Sequence, residues 1–462
     1  MDARFKQKYP LLQEIATGLR ANPFVILVLL MPFSLFIGKS ATDILVSASA
    51  ILFIYQSWRK QEWAWAHQRW FLALWAVWLY MLIRAPWTAE PLSALKTATT
   101  YGRYFVFSGL ISSLPFTQRW ARILLLSVLY GVVLFICIDT MTQYIWGANL
   151  FNKASNYGSR LVGPFNRPYV GVYLSWLSFP LVSHLFQQVC DRTTLRQSIV
   201  KLVLFLSFSC LTFMTIYSSG ERTALLGTLL CYSLMILFGL SKKRFLLGLI
   251  VLVSLILRIP AAKITKELLT SKHLSSIPTT TPTTPTTGPT WQVILQTIAK
   301  EIQLKITSSQ SSYQTRGGYG PLFQDALRLA RKNIIFGVGP NQFQHLCHIH
   351  HDPKPDIKKC AYRHPHNAWL TIFAELGLIG VTLFGAFFFT VAWRIKEGWH
   401  HFKCNGLVIG LLCVLIYRFF PLAGGMSIFL SNNAHILWLL VGWLMCFLNK
   451  DSQDKASHSI PQ

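Results

Sequence analysis

The chain has 462 residues, 52% of them apolar and only 13% charged, whereas soluble domains carry roughly 25% charged residues. That composition excludes an ordinary soluble enzyme. The formal charge of +26, from 43 Lys and Arg against 17 Asp and Glu, would point a soluble protein toward nucleic acid; in a chain this apolar, basic cytoplasmic loops account for it and no nucleic-acid partner is expected.

The first residues are polar and basic, and no small-residue cleavage site follows the first apolar run, so that run reads as a retained span rather than a signal peptide. Apolar runs follow at 23–39, 41–57, 70–87, 97–115, 122–146, 168–190, 199–217, 222–240 and 245–260, then at 367–393, 404–421 and 434–449. Their lengths fit the roughly 20 residues that cross the hydrocarbon core, which predicts an all-α polytopic membrane protein of about twelve spans. Helices one to nine then occupy 1–258, a large loop 259–366, helices ten to twelve 367–449 and a tail 450–462. With alternating spans, the basic loops around Arg59, Arg119, Arg192, Lys242 and Arg394 collect on one side. The positive-inside rule makes that side cytoplasmic, together with both termini. The loops near 86–96, 147–167, 218–221 and 421–433, and the large loop, then face outward.

The large loop has two parts. Residues 275–290 are a Thr/Pro tract that cannot build a packed core and should form an extended linker. Residues 291–306 are mildly amphipathic, and 320–332 space Leu322, Phe323, Ala326, Leu327, Leu329 and Ala330 as a helix does. Gly337-Val-Gly339 lacks the Lys-Ser/Thr of a phosphate loop and reads as a tight turn. There is no internal repeat and no sign of a second soluble domain.

The chemistry-bearing residues gather on the outward side. Arg363-His-Pro-His-Asn367 runs straight into an apolar helix, so His366 and Asn367 sit where water meets the membrane. Further along that helix, Gly377 and Gly380 share one face and would permit close helix packing. Arg222 opens a span after Ser218-Ser-Gly-Glu221, Arg316 lies in the outward loop, and Arg103 and Arg418 lie inside spans. Arginine's planar fork suits phosphate oxygens, so several such residues could hold a lipid diphosphate. The plainer alternatives are a pairing of Arg222 with Glu221 or an anchoring of its span, structural ion pairs for Arg103 and Arg418, and an interfacial polar role for His366. His345, His348, His350, His351, His364 and His366 match no strong zinc spacing, and Asp325, Asp352 and Asp356 form no paired site, so neither metal nor cofactor is expected. Cys347 and Cys360 both fall in the outward loop, where a disulfide would persist.

These residues resemble one family. His366-Asn367, nine residues, then Gly377-x-x-Gly380, with Arg316 ahead of Phe336-Gly-Val-Gly-Pro-Asn341 and Ser219-Gly-Glu-Arg-Thr223 opening a span, is similar to the bacterial O-antigen ligases. Their superfamily also holds O-antigen polymerases and pilin-type O-oligosaccharyltransferases. Arg160-Leu-Val-Gly-Pro-Phe-Asn-Arg-Pro-Tyr169 looks like the family's outer loop before span six. The resemblance implies helices arranged as in C-type membrane glycosyltransferases of the bacterial inner membrane, with a periplasmic active site. It implies transfer of a glycan from undecaprenyl diphosphate to a sugar of the lipid A core. The catalytic histidine falls on His366, with His364 as the alternative, and the phosphate-side arginines fall on Arg222 and Arg316. Arg103, Arg160 and Asn367 are further candidates for substrate binding. With an ordinary imidazole pKa of about 6.5, His366 would act as general base at neutral pH in an inverting, metal-independent displacement. A polymerase, or from another class a transporter or lipid flippase, are the competing readings.

Overall fold

The computed structural model describes residues 10–155, 157, 160–190, 194–238, 320–347, 364–421, 423, 427–429 and 431–458. Among these the chain is helical and has no strand, only an isolated bridge between Ala148 and Ala154. In chain order the helices are α1 (Pro10–Ala21), α2 (Phe24–Ile37), α3 (Lys39–Lys60), α4 (Arg69–Arg84), α5 (Pro91–Ser113), α6 (Arg119–Trp146) and α7 (Val170–Cys190). There follow α8 (Leu195–Ser218), α9 (Arg222–Phe238), α10 (Gly320–Lys332), α11 (Phe343–Leu346), α12 (Ala368–Phe402), α13 (Gly406–Arg418) and α14 (Ser431–His458). Every apolar run read from the sequence coincides with one of these helices except 245–260, which lies outside the described residues with the Thr/Pro tract and 291–306.

Four helical stretches are long and apolar enough to cross a membrane: Arg69–Trp87, Arg119–Trp146, Leu195–Ser218 and Ala368–His400. A fifth is reached if α1 and α2, bent by 98° at their junction, act as one span, and Arg222–Phe238, Gly406–Arg418 and Asn433–Asn449 are shorter apolar helices. The described residues therefore show a helical membrane protein with four or five spans by length and composition, fewer than the expected dozen. The difference has a physical source: helices such as α3 and α5 carry polar residues that face neighbouring helices, which lowers their hydropathy without shortening them.

One core runs through the bundle. It joins α5 to α14 and α3, α7 to α13, α8 and α9, and α4 to α12. Small residues let α13 lie close on α7: a Cβ on Gly406 or Gly410 would meet Ser183 O at 2.3 Å or Pro180 Cα at 2.6 Å. A second, smaller apolar cluster lies between α10, α11 and α12. There α10 buries Leu322, Ala326, Leu329 and Ala330 with Phe343, Cys347 and Ala374, the face expected from its spacing.

The Gly377-x-x-Gly380 pair does something other than the helix packing expected of it. Gly377 has φ 65° and ψ −162°, so α12 is two helical pieces joined at a break. The turn at 333–341 fills that break. Leu378 N donates to Ile334 O at 2.8 Å and Ile379 N to Ile335 O at 3.2 Å, while Val338 N donates to Ala374 O at 2.9 Å and Gly339 N to Glu375 O at 2.7 Å. The inserted turn thereby satisfies the Ala374 and Glu375 carbonyls and the Leu378 and Ile379 amides. A Cβ at Gly377 would sit 2.3 Å from Ile335 O, and one at Gly337 would sit 2.4 Å from Glu375 O. Gly380 is small for a reason within its own helix, because Leu376 Cβ lies 2.2 Å from where its Cβ would be.

Candidate active site

The site is built on three polar supports, and the first holds the histidine. Asn367 is the N-cap of α12: its Oδ1 accepts from Leu370 N at 3.0 Å, and its Nδ2 donates to Pro421 O at 2.7 Å and Ala423 O at 3.3 Å. The amide expected to meet substrate is thus engaged by the fold, ties α12 to the 421–423 segment, and is 4% exposed. His366, one residue earlier, is held at φ 58°. A non-glycine residue in that left-handed region carries strain of order 1–3 kcal/mol, which accumulates at functional sites. Its ring packs on that of His364 with centroids 4.2 Å apart.

The second support is the outer loop between α6 and α7. Gln143 Oε1 accepts from Val162 N at 3.0 Å and Gly163 N at 2.9 Å, and Asn149 Nδ2 donates to Gly163 O at 2.8 Å. Asp139 accepts from Leu150 N at 3.0 Å. Side chains at the end of α6 thus hold this loop from below and place Arg160. Leu161 N donates to Ser219 O at 3.2 Å, which ties the loop to the α8–α9 junction.

The third support is that junction. Glu221 does not pair with Arg222, the plainer role considered for both. Its carboxylate caps α7, accepting from Gly171 N at 2.9 Å and Val172 N at 3.2 Å. Burial pushes Glu221 up to about 7, against the pull of those two amides and the Arg160 charge. Arg222 is exposed at the first turn of α9.

Arg160 connects these supports. Its charge acts on Glu221 and also on His366, whose pKa is lowered to about 4 by burial first and Arg160 second. The near-neutral imidazole expected from the sequence is therefore not what this environment produces. Arg160 is thus the group whose charge reaches both the imidazole of His366 and the carboxylate that caps α7, and Arg222 follows that carboxylate in the chain.

Arg103 lies elsewhere. Its Nη2 is 2.6 Å from Asp43 Oδ1, its Nη1 donates to Ser47 Oγ at 3.2 Å, and Tyr104 and His435 approach the same carboxylate oxygen at 2.9 and 3.0 Å. This is the structural ion pair offered as the alternative for Arg103, placed between α3, α5 and α14. Arg418, 3% exposed, lies over Trp176 at 5.5 Å, again a packed role. Arg316 lies outside the described residues. Cys347 is disulfide-bonded and fully buried, while Cys360 lies outside the described residues. Among the described residues no group of three His, Cys, Asp or Glu is placed to hold a metal ion.

Sequence reasoning passed over Arg84 and Glu375. Arg84 Nη2 donates to Gly337 O at 2.8 Å, and Glu375 accepts from Asn341 N at 2.7 Å and Phe343 N at 3.3 Å. Both clamp the 333–343 turn. The signal available was a carboxylate inside an apolar run, two residues before a glycine.

A helical membrane protein with a loop-supported histidine at the start of α12 is the class that these features define. Residues 206–385 match the family model described as O-antigen ligase. The matched stretch begins within α8, runs past the break at Gly377 and includes Glu221, Arg222 and His366. Among curated proteins none matches the chain.

Proposed function

We propose that the protein is an O-antigen ligase, a glycosyltransferase that moves a glycan from undecaprenyl diphosphate to a sugar hydroxyl of the lipid A core on the periplasmic face of the bacterial inner membrane. The observation that carries this reading is His366, held at φ 58° on the segment that matches the family and within reach of the Arg160 charge. The acceptor hydroxyl gives its proton to the His366 imidazole as its oxygen bonds to the anomeric carbon. The bond from that carbon to the diphosphate oxygen breaks, and the diphosphate leaves with the electron pair, which inverts the anomeric centre. Arg222 and Arg316 take up the charge on the leaving group. The scheme needs no metal or cofactor, because a diphosphate leaves without protonation.

Arg160 gives the base a dependence on donor. In the free protein its charge disfavours the imidazolium. A bound diphosphate offsets that charge, so His366 becomes a stronger base when there is a donor to use it on. The Cys347 bond, with Cys360 as its proposed partner, would hold the outward segment against α10 and α12.

Purified full-length protein, mixed with undecaprenyl-diphosphate-linked glycan and lipid A core in detergent, should form glycosylated lipid A core. His366→Ala should abolish the product while the protein still purifies as wild type does. Loss in His364→Ala alone would move the base to that residue. Elongation of a second lipid-linked glycan in place of the core would identify a polymerase, and absence of any new bond would overturn the enzyme reading.

A further inference from the structure

In the C-terminal piece of α12, beyond the break at Gly377, a cavity of about 420 Å³ opens between α12 and the start of α4. Arg69 lies on one wall and Arg394 on the other. We propose that this cavity binds the headgroup of an anionic phospholipid, with the two arginines on its phosphate and Phe389 and Trp393 against its acyl chains.

Three observations carry the assignment. First, both walls belong to helices long and apolar enough to cross the bilayer, and the cavity lies at their ends, where headgroups are. Second, Phe389 and Trp393 are 65% and 45% exposed beside the arginines, toward the middle of the span. Large apolar surface next to basic residues at a span end suits a lipid better than water. Third, the charged lining is Arg69 and Arg394 against Glu397, a net single positive charge that matches a phosphodiester. Glu397 also accepts from the Trp393 indole at 2.6 Å, which turns that ring's edge toward the carboxylate. By the positive-inside rule this end is cytoplasmic, the face where anionic lipids attract basic residues. The proposal is independent of the transfer reaction.

The test is native mass spectrometry of the full-length protein in mild detergent, titrated separately with phosphatidylglycerol, phosphatidylethanolamine and phosphatidylcholine. One phosphatidylglycerol should bind in preference to the other two. The double variant R69Q/R394Q should bind it about 30-fold more weakly, since each arginine near a headgroup contributes roughly fivefold. Thr390→Trp keeps both charges and fills the cavity, so it should lose the lipid as well; it decides the matter if the double variant does not fold. Unchanged affinity in a folded variant, or equal binding of phosphatidylcholine or phosphatidylethanolamine by the wild type, would overturn the proposal.

Discussion

The imidazole of His366 is controlled by a residue on a different loop. Burial and Arg160 bring its pKa down to about 4. On the proposed mechanism the neutral ring is the active form, so activity is lost as pH falls through the pKa, not as it rises. The acid limb of kcat/KM, which reports the free protein, should therefore lie near pH 4 rather than near 6.5. The limb of kcat, which reports the donor-bound state, should lie higher. Arg160→Gln should raise the first limb and narrow the gap between the two; coincident limbs unmoved by that substitution would remove Arg160 from the mechanism. Arg222→Ala should lower turnover about 10²–10³-fold if its fork meets transition-state charge, with lysine restoring only part of it. Full activity of the lysine variant would mean that charge alone matters. At this scale the sequence was legible where polarity broke an apolar pattern, as at His366 and Arg222. It was silent on Glu221 as the cap of α7, because a carboxylate beside an arginine reads as its partner until the chain is folded.

Helices were legible almost throughout, because apolar runs of membrane length admit little else. The break in α12 was not, since a glycine in an apolar run looks the same whether it packs against a neighbour or turns the backbone. Only the turn at 333–341, more than thirty residues earlier in the chain, distinguishes the two. Gly377→Ala is expected to destabilise the protein by about 1–3 kcal/mol from the left-handed backbone alone, and further because its Cβ meets Ile335 O. It should also lower transfer with every candidate catalytic side chain intact. A thermal melt in detergent and the transfer assay check this together, and wild-type values in both would return Gly377 to a plain packing role.

For the molecule as a whole, segment 320–347 is anchored from three directions. Tyr80 Oη donates to Phe336 O at 2.7 Å, Gln342 Oε1 accepts from Glu90 N at 2.9 Å, and the Cys347 bond closes the chain beyond. Reduction of that bond should lower stability by about 2–5 kcal/mol. Peptide mapping without reductant should recover Cys347 joined to Cys360; both thiols alkylatable in protein taken directly from the membrane would refute the pairing. The break in α12 adds a constraint on biogenesis. Residues 378–402 carry most of the apolar length that a translocon reads, and can insert as they emerge. The carbonyls of Ala374 and Glu375 and the amides of Leu378 and Ile379 find their partners on the 333–341 turn. On the orientation that the basic loops predict, we propose that ordering of the segment that carries His366 waits on translocation of that turn. A fusion that retains residues 320–347 in the cytoplasm should yield a stably inserted α12 whose Leu378 and Ile379 amides exchange rapidly with deuterium, where the native turn protects them.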